Sequence, residues 1–142
     1  MARTISIAAL LPASAAELYA MYVDGKTHSA ITGAPAVVAA RAGSPFSAFG
    51  GMLRGTMLHV VPGRLIVQSW RSSGWRKSDV DSTLVLAFVA QGKKTRVELT
   101  HVNVPDDDFG GVSNGWEQYY FAPWRVYLAN RTQAPGATGR KR

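Results

Sequence analysis

The sequence lacks several features on which common protein functions depend. It has no cysteine, which excludes a disulfide framework, a thiol nucleophile and a thiolate metal site and suits a reducing cytoplasm, where we expect the protein to be. No apolar run approaches the roughly 18 residues of a membrane-spanning helix. Neither GxxxxGK[ST] nor GxGxxG, the glycine loops that bind phosphate groups, occurs. An ATPase activity of the chain's own is therefore not predicted.

The basic residues are unevenly distributed along the 142-residue chain. The formal net charge is +7, from 16 lysines and arginines against nine acidic residues. Four of the basic residues and no acid lie in residues 131–142, leaving 12 against nine, a net charge of +3, in the remainder. That segment is rich in Gly, Pro and Ala without apolar periodicity, which is typical of disorder. We predict one domain over residues 1–130, a disordered basic tail over residues 131–142, and no nucleic-acid or membrane partner.

The beginning of the chain predicts one strand and two short helices. Within residues 3–10, Ile5 and Ile7 alternate with Thr4 and Ser6, which favours a strand over a signal peptide. Ser14 and Glu17 have the S-x-x-E spacing of a capping box, in which each side chain satisfies a free backbone N–H, so a helix of about ten residues follows. Asp24 is placed to cap a second helix over residues 26–31.

From residue 36 the pattern changes to the two-residue period of β-strands. Turn signals separate the segments. The predicted strands are residues 36–41, 46–49, 52–61, 64–71, 82–90 and 95–104. Gly55 lies inside the third of these, where a glycine often marks a bulge or a strongly curved sheet. No helical crossover separates the strands, so we predict an antiparallel sheet of about six to seven strands and the α+β class.

Aromatic side chains are concentrated in residues 115–128, which hold six of the 14 aromatics. On a helix their apolar side chains cover a far wider arc than the stripe of about 100° that a helix lying flat on a core needs. We therefore expect the sheet to curve around this long C-terminal helix. Pro123 predicts a kink near Tyr119, and the three aspartates at 106–108 are placed to cap the helix.

Two motifs suggest chemistry that their surroundings do not support. Residues 111–115 spell GxSxG, the nucleophile elbow of hydrolases, but no buried strand precedes them and no histidine follows them. His28, His59 and His101 have no metal-ligand spacing, and the three aspartates lack the alternation of a calcium loop. We predict no catalytic residue, no metal site and no cofactor.

His101 and His59 each have two interpretations. In the last strand His101 is predicted to share the inward face with Val97 and Leu99. Such a histidine usually makes a structural hydrogen bond to a neighbour. The alternative is that it orients a ligand in an apolar pocket or acts as an acid–base group. His59 is predicted to share a face with Met57, and the same two interpretations apply to it.

Several phrases of the sequence, in this order and spacing, resemble one known family. They are TGAPA at 32–36, GxPF at 43–46, VPGRLIVQSWR from residue 61, DST at 81–83, LTHVNVP at 99–105 and GWxxYYFxP at 115–123. They are similar to the C-terminal domain of the activator of heat-shock protein 90 ATPase, which often occurs as a single-domain bacterial protein. The resemblance covers about residues 15–128. One departure is Ser44-Pro45, where members often have a second glycine before the phenylalanine. The family's two-domain co-chaperone also has an N-terminal domain for which 142 residues leave no room.

The resemblance implies a fold and a place for a site. The family belongs to the START-like (SRPBCC) helix-grip superfamily, which implies a curved antiparallel sheet, two small helices and a C-terminal helix across a hydrophobic cavity. We expect the cavity to hold a small hydrophobic or amphipathic molecule. The candidate wall residues are Met57, Trp70, Phe88, His101, Trp116, Tyr120 and Trp124.

Three functions follow as hypotheses. The first is a non-enzymatic domain that binds a small apolar molecule between the sheet and the closing helix. The second is a co-chaperone-type interaction domain that contacts a heat-shock protein 90-like ATPase. The third, a cyclase- or hydrolase-like enzyme using the same cavity, has the least support, because the sequence offers no catalytic constellation.

Overall fold

A computed structural model describes residues 2–133 of the chain. Its strands are β1 (Ala2–Leu11), β2 (Pro45–Ala48), β3 (Leu53–Val61), β4 (Leu65–Ser72), β5 (Ser82–Gln91) and β6 (Lys94–Pro105). Its helices are α1 (Ala15–Val23), α2 (Gly25–Thr32), α3 (Phe109–Gly115) and α4 (Ala122–Gln133), with a π-helical segment at Trp116–Phe121 and single 3-10 turns at Phe49–Gly51 and Asp106–Asp108.

The six strands form one antiparallel sheet in the order β1-β6-β5-β4-β3-β2. The first strand pairs with the last, and each remaining pair is consecutive in the chain. Within β6 the side chains of Val97, Leu99 and His101 are buried, whereas Arg96 and Glu98 are exposed, as the two-residue period predicts. This arrangement confirms the predicted α+β helix-grip fold, with short helices after the first strand and a long helical run at the C-terminal end.

The short helices begin where their capping residues predict. The Ser14 hydroxyl accepts a hydrogen bond from the backbone N–H of Glu17, and the Glu17 carboxylate accepts one from the backbone N–H of Ser14. At the start of α2 the Asp24 carboxylate accepts from the backbone N–H of Thr27 at 3.1 Å. Each bond satisfies a backbone donor that the first helical turn leaves free.

The structure differs from the predicted sheet at residues 36–41, at Gly55 and at His59. Residues 36–41 form no strand, because only Val37 reaches a partner there, in a single bridge to Ser47. Gly55 is not a bulge: a Cβ at this position would lie 1.8 Å from the backbone oxygen of Ser69, so the glycine permits a close approach of two strands. The register shift lies between Met57 and His59 instead. Because of it His59 is exposed and does not share the face of the buried Met57, as had been predicted.

The closing helical run is irregular in the predicted place. Pro123 has no N–H to donate to the carbonyl four residues earlier, and the π-helical segment lies directly before α4. The Ala122 N–H donates to the carbonyl of Glu117, five residues back. Helix α4 continues to Gln133, so residues 131–133 of the predicted tail are helical, and the rest of that predicted tail lies outside the described residues.

The core lies between one face of the sheet and the helices. It includes four large aromatic side chains of the closing run, Trp116, Tyr120, Phe121 and Trp124, each at most 5% exposed. They meet residues of the strands and of α1 in one continuous cluster. The aromatic segment is therefore structural first, because burying each such ring removes about 150–250 Å² of surface from water.

Candidate functional site

A cavity of about 370 Å³ lies between the first half of the closing helical run and one end of the sheet. Its walls are mostly apolar and aromatic, and two half-exposed residues, Met52 and Tyr119, form part of its boundary with solvent. Its volume falls in the range of small-molecule sites, roughly 300–1,000 Å³. The lining residues are Phe49, Met52, Leu53, Trp70, Ser72, Asp108, Gly111, Val112, Gly115, Trp116, Tyr119 and Tyr120.

Three of the seven predicted wall residues line this cavity, namely Trp70, Trp116 and Tyr120. The rings of Trp116 and Tyr120 lie 4.8 Å apart, and those of Trp70 and Trp116 lie 6.3 Å apart. They come together because β4 passes under the π-helical segment. The indole N–H of Trp70 is buried and has no hydrogen-bond partner among the described residues.

The other four predicted wall residues lie elsewhere in the core. Met57 and His101 are fully buried, and Phe88 packs edge-on against Tyr19 of α1. Trp124 donates its indole N–H to the sulfur of Met21 and borders a crevice too small for a water molecule. The sequence identified the inward face of the sheet correctly, but it did not show which part of that face the helices cover.

His101 belongs to a hydrogen-bonded chain that links the closing helix to the sheet. The Trp116 indole nitrogen lies 3.2 Å from His101 Nδ1. Because an indole N–H can only donate, His101 Nδ1 must be the acceptor. Nε2 then carries the proton and donates to the Ser82 hydroxyl at 2.7 Å, and that hydroxyl donates to the carbonyl of Trp70 at 2.8 Å. Burial lowers the pKa of His101 to about 4. These bonds give His101 the structural role that was the first of its two interpretations.

His28 makes a similar connection that the sequence analysis did not identify. Its Nδ1 lies 2.8 Å from the carbonyl of Tyr22 and must donate to it, so Nε2 accepts from the Tyr120 hydroxyl at 3.0 Å. Burial lowers the pKa of His28 and raises the pKa of Tyr120. A buried neutral histidine therefore fixes the hydroxyl end of a ring whose other side lines the cavity. No motif or spacing in the sequence indicates this contact, because His28 and Tyr120 lie on helices that are far apart in the chain.

Asp108, one of the three aspartates predicted to cap the closing helix, does not cap α3. Asp108 is the residue before the helix, but its side chain makes no capping hydrogen bond. Its carboxylate instead accepts from the Trp75 indole N–H at 2.7 Å and lines the cavity. Asp107 pairs with Arg76 at 2.6 Å, and Asp106 lies 3.8 Å from Arg3. These contacts connect the segment before α3 to Trp75, Arg76 and Arg3.

The part of the wall that sequence reasoning missed comes from the turn before β3 and from α3. Phe49 has a φ of +53°, which is uncommon for a residue other than glycine, and its ring packs edge-on against Tyr119 and Tyr120. Met52 is 57% exposed and Tyr119 53% exposed, which is high for side chains of this size. The only signal in the sequence was the concentration of aromatics itself, because the position of the turn depends on tertiary contacts.

The described residues 2–133 contain no group of three or more side chains placed to hold a metal ion. Ser113 of the GxSxG motif lies inside α3, and its buried hydroxyl has no hydrogen-bond partner in this part of the chain. It is therefore not the exposed residue of a strand-to-helix turn that a nucleophile elbow requires. None of the helices in the same range is long and apolar enough to cross a membrane.

The protein-family model described as "Activator of Hsp90 ATPase homolog 1-like protein" matches residues 12–128 of the chain. The chain belongs to this family. The match covers β3 to β6 and the π-helical segment, so it includes every residue that lines the cavity.

Two curated relatives agree with membership of the Hsp90 ATPase activator homolog 1-like family. The chain is 29% identical over 117 residues to the "Activator of 90 kDa heat shock protein ATPase homolog" of Dictyostelium discoideum, which is 82% of this chain and 30% of that protein. It is also 29% identical over 105 residues to the "Activator of 90 kDa heat shock protein ATPase homolog 1" of Homo sapiens. These residues make up 74% of this chain and 31% of that protein. The chain thus spans less than a third of the length of either.

A crystal structure described as an HSP90 activator from Plasmodium falciparum has the same fold. It superposes with a TM-score of 0.83 at 24% identity, over 89% of this chain and 96% of that one. This similarity confirms the helix-grip architecture that the resemblance implied.

Proposed function

We propose that this chain is a non-enzymatic binding domain that holds a small hydrophobic or amphipathic molecule in the cavity beneath its closing helix. The observation that carries the proposal is the cavity of about 370 Å³, with its predominantly aromatic and aliphatic walls. Helices packed solidly against the sheet would leave no such volume, since protein interiors are normally close-packed. Apolar lining with a few polar groups is the usual character of a small-molecule site.

The absence of a catalytic role is part of the same proposal. Both buried histidines use both ring nitrogens in internal hydrogen bonds, so neither has a free nitrogen for a substrate proton. Burial lowers the pKa of each, to about 4 for His101, which also disfavours the protonated form at neutral pH. The polar groups on the wall that remain, such as Ser72 and Asp108, orient or attract a ligand in this proposal.

The cavity can be tested with a neutral fluorescent probe and a variant that fills it. N-phenyl-1-naphthylamine, whose emission increases in apolar surroundings, is expected to bind the wild-type protein. Ser72 lines the cavity, so Ser72→Phe is expected to abolish this binding. Ser73 is the exposed neighbour, which makes Ser73→Phe a matched control that should bind like the wild type. Equal binding by both variants would exclude the cavity as the site.

A bound natural ligand can be sought directly. Native mass spectrometry of protein purified from its own host is expected to show an added mass that the Ser72→Phe variant lacks. Unmodified mass for the wild type, together with no binding of the neutral probe, would contradict the proposal.

A second candidate function is contact with an Hsp90-type chaperone, and it rests on the family rather than on the cavity. Both curated relatives are named as activators of the 90 kDa heat shock protein ATPase. If this chain acts in that way, adding it to a heat-shock protein 90 should change the rate of ATP hydrolysis. The Ser72→Phe variant should then act like the wild type, because a surface contact does not require the cavity. No change at saturating concentration would refute this second function.

A further inference from the structure

We propose that the cavity binds a ligand that carries a protonated amine, with the charged nitrogen next to Asp108 and the apolar body between the aromatic rings. This inference rests on the proposed cavity function and specifies the class of ligand. It starts from the position of one carboxylate in a cavity whose lining is otherwise mostly apolar.

Asp108 differs from its two neighbours in having no cationic partner. Asp107 pairs with Arg76 and Asp106 lies near Arg3, whereas no ion pair involves Asp108 within residues 2–133. A cationic ligand could therefore form an ion pair with this carboxylate without displacing a cationic side chain of the described residues.

The carboxylate is held in place, as a binding group should be. One oxygen of Asp108 accepts from the Trp75 indole at 2.7 Å, and the Trp75 ring packs 5.5 Å from that of Trp70 in the cavity wall. The other oxygen lies 2.8 Å from the point where a Cβ would stand on Gly111. A side chain at Gly111 would therefore displace the carboxylate, so the glycine leaves room for it over the helix.

The aromatic rings of the same cavity wall can contact a cation as well as an apolar body. Phe49 packs 5.8 Å from Tyr120, which in turn lies 4.8 Å from Trp116, so the aromatic surface is continuous along the wall. The face of an aromatic ring attracts a cation, most strongly for tryptophan.

The test uses matched molecules that differ only in charge. The probes are 4-phenylbutylamine, 4-phenylbutan-1-ol and 4-phenylbutanoate, with the 2-(1-naphthyl)ethyl amine and alcohol as a second pair, and dissociation constants are measured by titration calorimetry. The amine of each pair is expected to bind about tenfold more tightly than the alcohol, since a charged contact and a cation–π contact together contribute on that order. The carboxylate is expected to bind most weakly.

Asp108→Asn is the decisive variant, because it removes the charge while preserving the shape and the acceptor for Trp75. The ratio of amine to alcohol affinity is expected to fall from about ten to near one, with the alcohol affinity unchanged. Asp107→Asn is the matched control, since that neighbouring carboxylate is exposed and pairs with Arg76. It should leave the ratio as in the wild type.

The outcomes separate this inference from the proposed function. Equal affinity of the wild type for amine and alcohol, or an amine preference that survives in Asp108→Asn, would overturn the inference while leaving the cavity as a site for apolar molecules. Tightest binding of 4-phenylbutanoate would also overturn it, because the Asp108 carboxylate should repel an anion. Failure of all the probes, with no binding of N-phenyl-1-naphthylamine either, would contradict both proposals.

Discussion

Replacing His101 should change how the stability of the protein depends on pH. The folded protein holds this ring neutral, with a pKa of about 4, because burial disfavours the charged form. In the unfolded chain the pKa returns to the ordinary value of about 6.5. Between these two values the unfolded state binds more protons than the folded state, so the free energy of unfolding falls as the pH is lowered through this window.

The magnitude follows from the two pKa values. From pH 7 to pH 5 the unfolded ring becomes almost fully protonated while the folded ring stays largely neutral, and linkage gives a loss of about 2 kcal/mol of unfolding free energy. The pKa of His28 is also lowered, so this second histidine adds a loss of the same sign. Because His28 is present in both proteins, its contribution cancels when the wild type is compared with a His101 variant.

Urea unfolding followed by tryptophan fluorescence at pH 7 and pH 5 measures this difference. His101→Gln is expected to be less stable than the wild type at pH 7, because the bonds to Trp116 and Ser82 are disturbed. Its further loss between pH 7 and pH 5 should be smaller than that of the wild type by about 2 kcal/mol. His59→Gln, which removes an exposed histidine, is the control for histidine content.

The same reasoning can be refuted in two ways. A loss between pH 7 and pH 5 that is the same for His101→Gln and the wild type would show that this ring does not titrate with folding. If the variant does not fold, the wild-type ring can be followed by NMR, where the His101 signals should stay those of the neutral Nε2–H form down to pH 5. Protonation of His101 in the folded protein near pH 6.5 would contradict the hydrogen-bonded chain.

Three further predictions concern the fold around the cavity. Gly55→Ala should cost more than about 4 kcal/mol of unfolding free energy or prevent folding, because its Cβ would lie 1.8 Å from a backbone oxygen. Gly74→Ala is the control, because a Cβ there has nothing within 4 Å, and it should change stability by less than about 0.5 kcal/mol in the same urea assay. The reverse order would contradict the strand contact. Tyr120→Phe should lower stability by about 2 kcal/mol, since it leaves the buried Nε2 of His28 without its donor, and an unchanged urea midpoint would rule that bond out as a stabilising contact. Phe88→Ala should cost about 4 kcal/mol but leave the affinity for N-phenyl-1-naphthylamine unchanged, because Phe88 does not line the cavity; weaker probe binding by a folded variant would place Phe88 at the site.

The site could be predicted from the sequence only in part. Trp70, Trp116 and Tyr120 were predicted and do line the cavity, because strand alternation and helical spacing determine which side chains face inward. The same rules selected Met57 and Phe88, which face inward equally but are covered by other side chains. An inward-facing side chain lines a cavity only where no other side chain packs against it. The pattern of apolar residues along the sequence does not show which inward-facing side chains are covered.

The sequence by itself determined the local elements and their class. The capping box at Ser14, the cap at Asp24, the inward face of β6 and the irregularity before Pro123 each follow from interactions within a few residues, so short-range rules predict them. Antiparallel order followed from the absence of crossover helices, and the family followed from spaced phrases along the chain.

Only the tertiary structure decided the chemistry of the closing helical run. The register shift between Met57 and His59 turned one histidine outward, and the approach of Trp116 to His101 gave the other a structural role. Asp108 was expected to cap a helix, but Trp75, more than thirty residues earlier in the chain, holds its carboxylate at the cavity wall instead. Contacts between distant segments form when strands and helices pack, and which donor then lies nearest depends on that packing and not on neighbours in sequence.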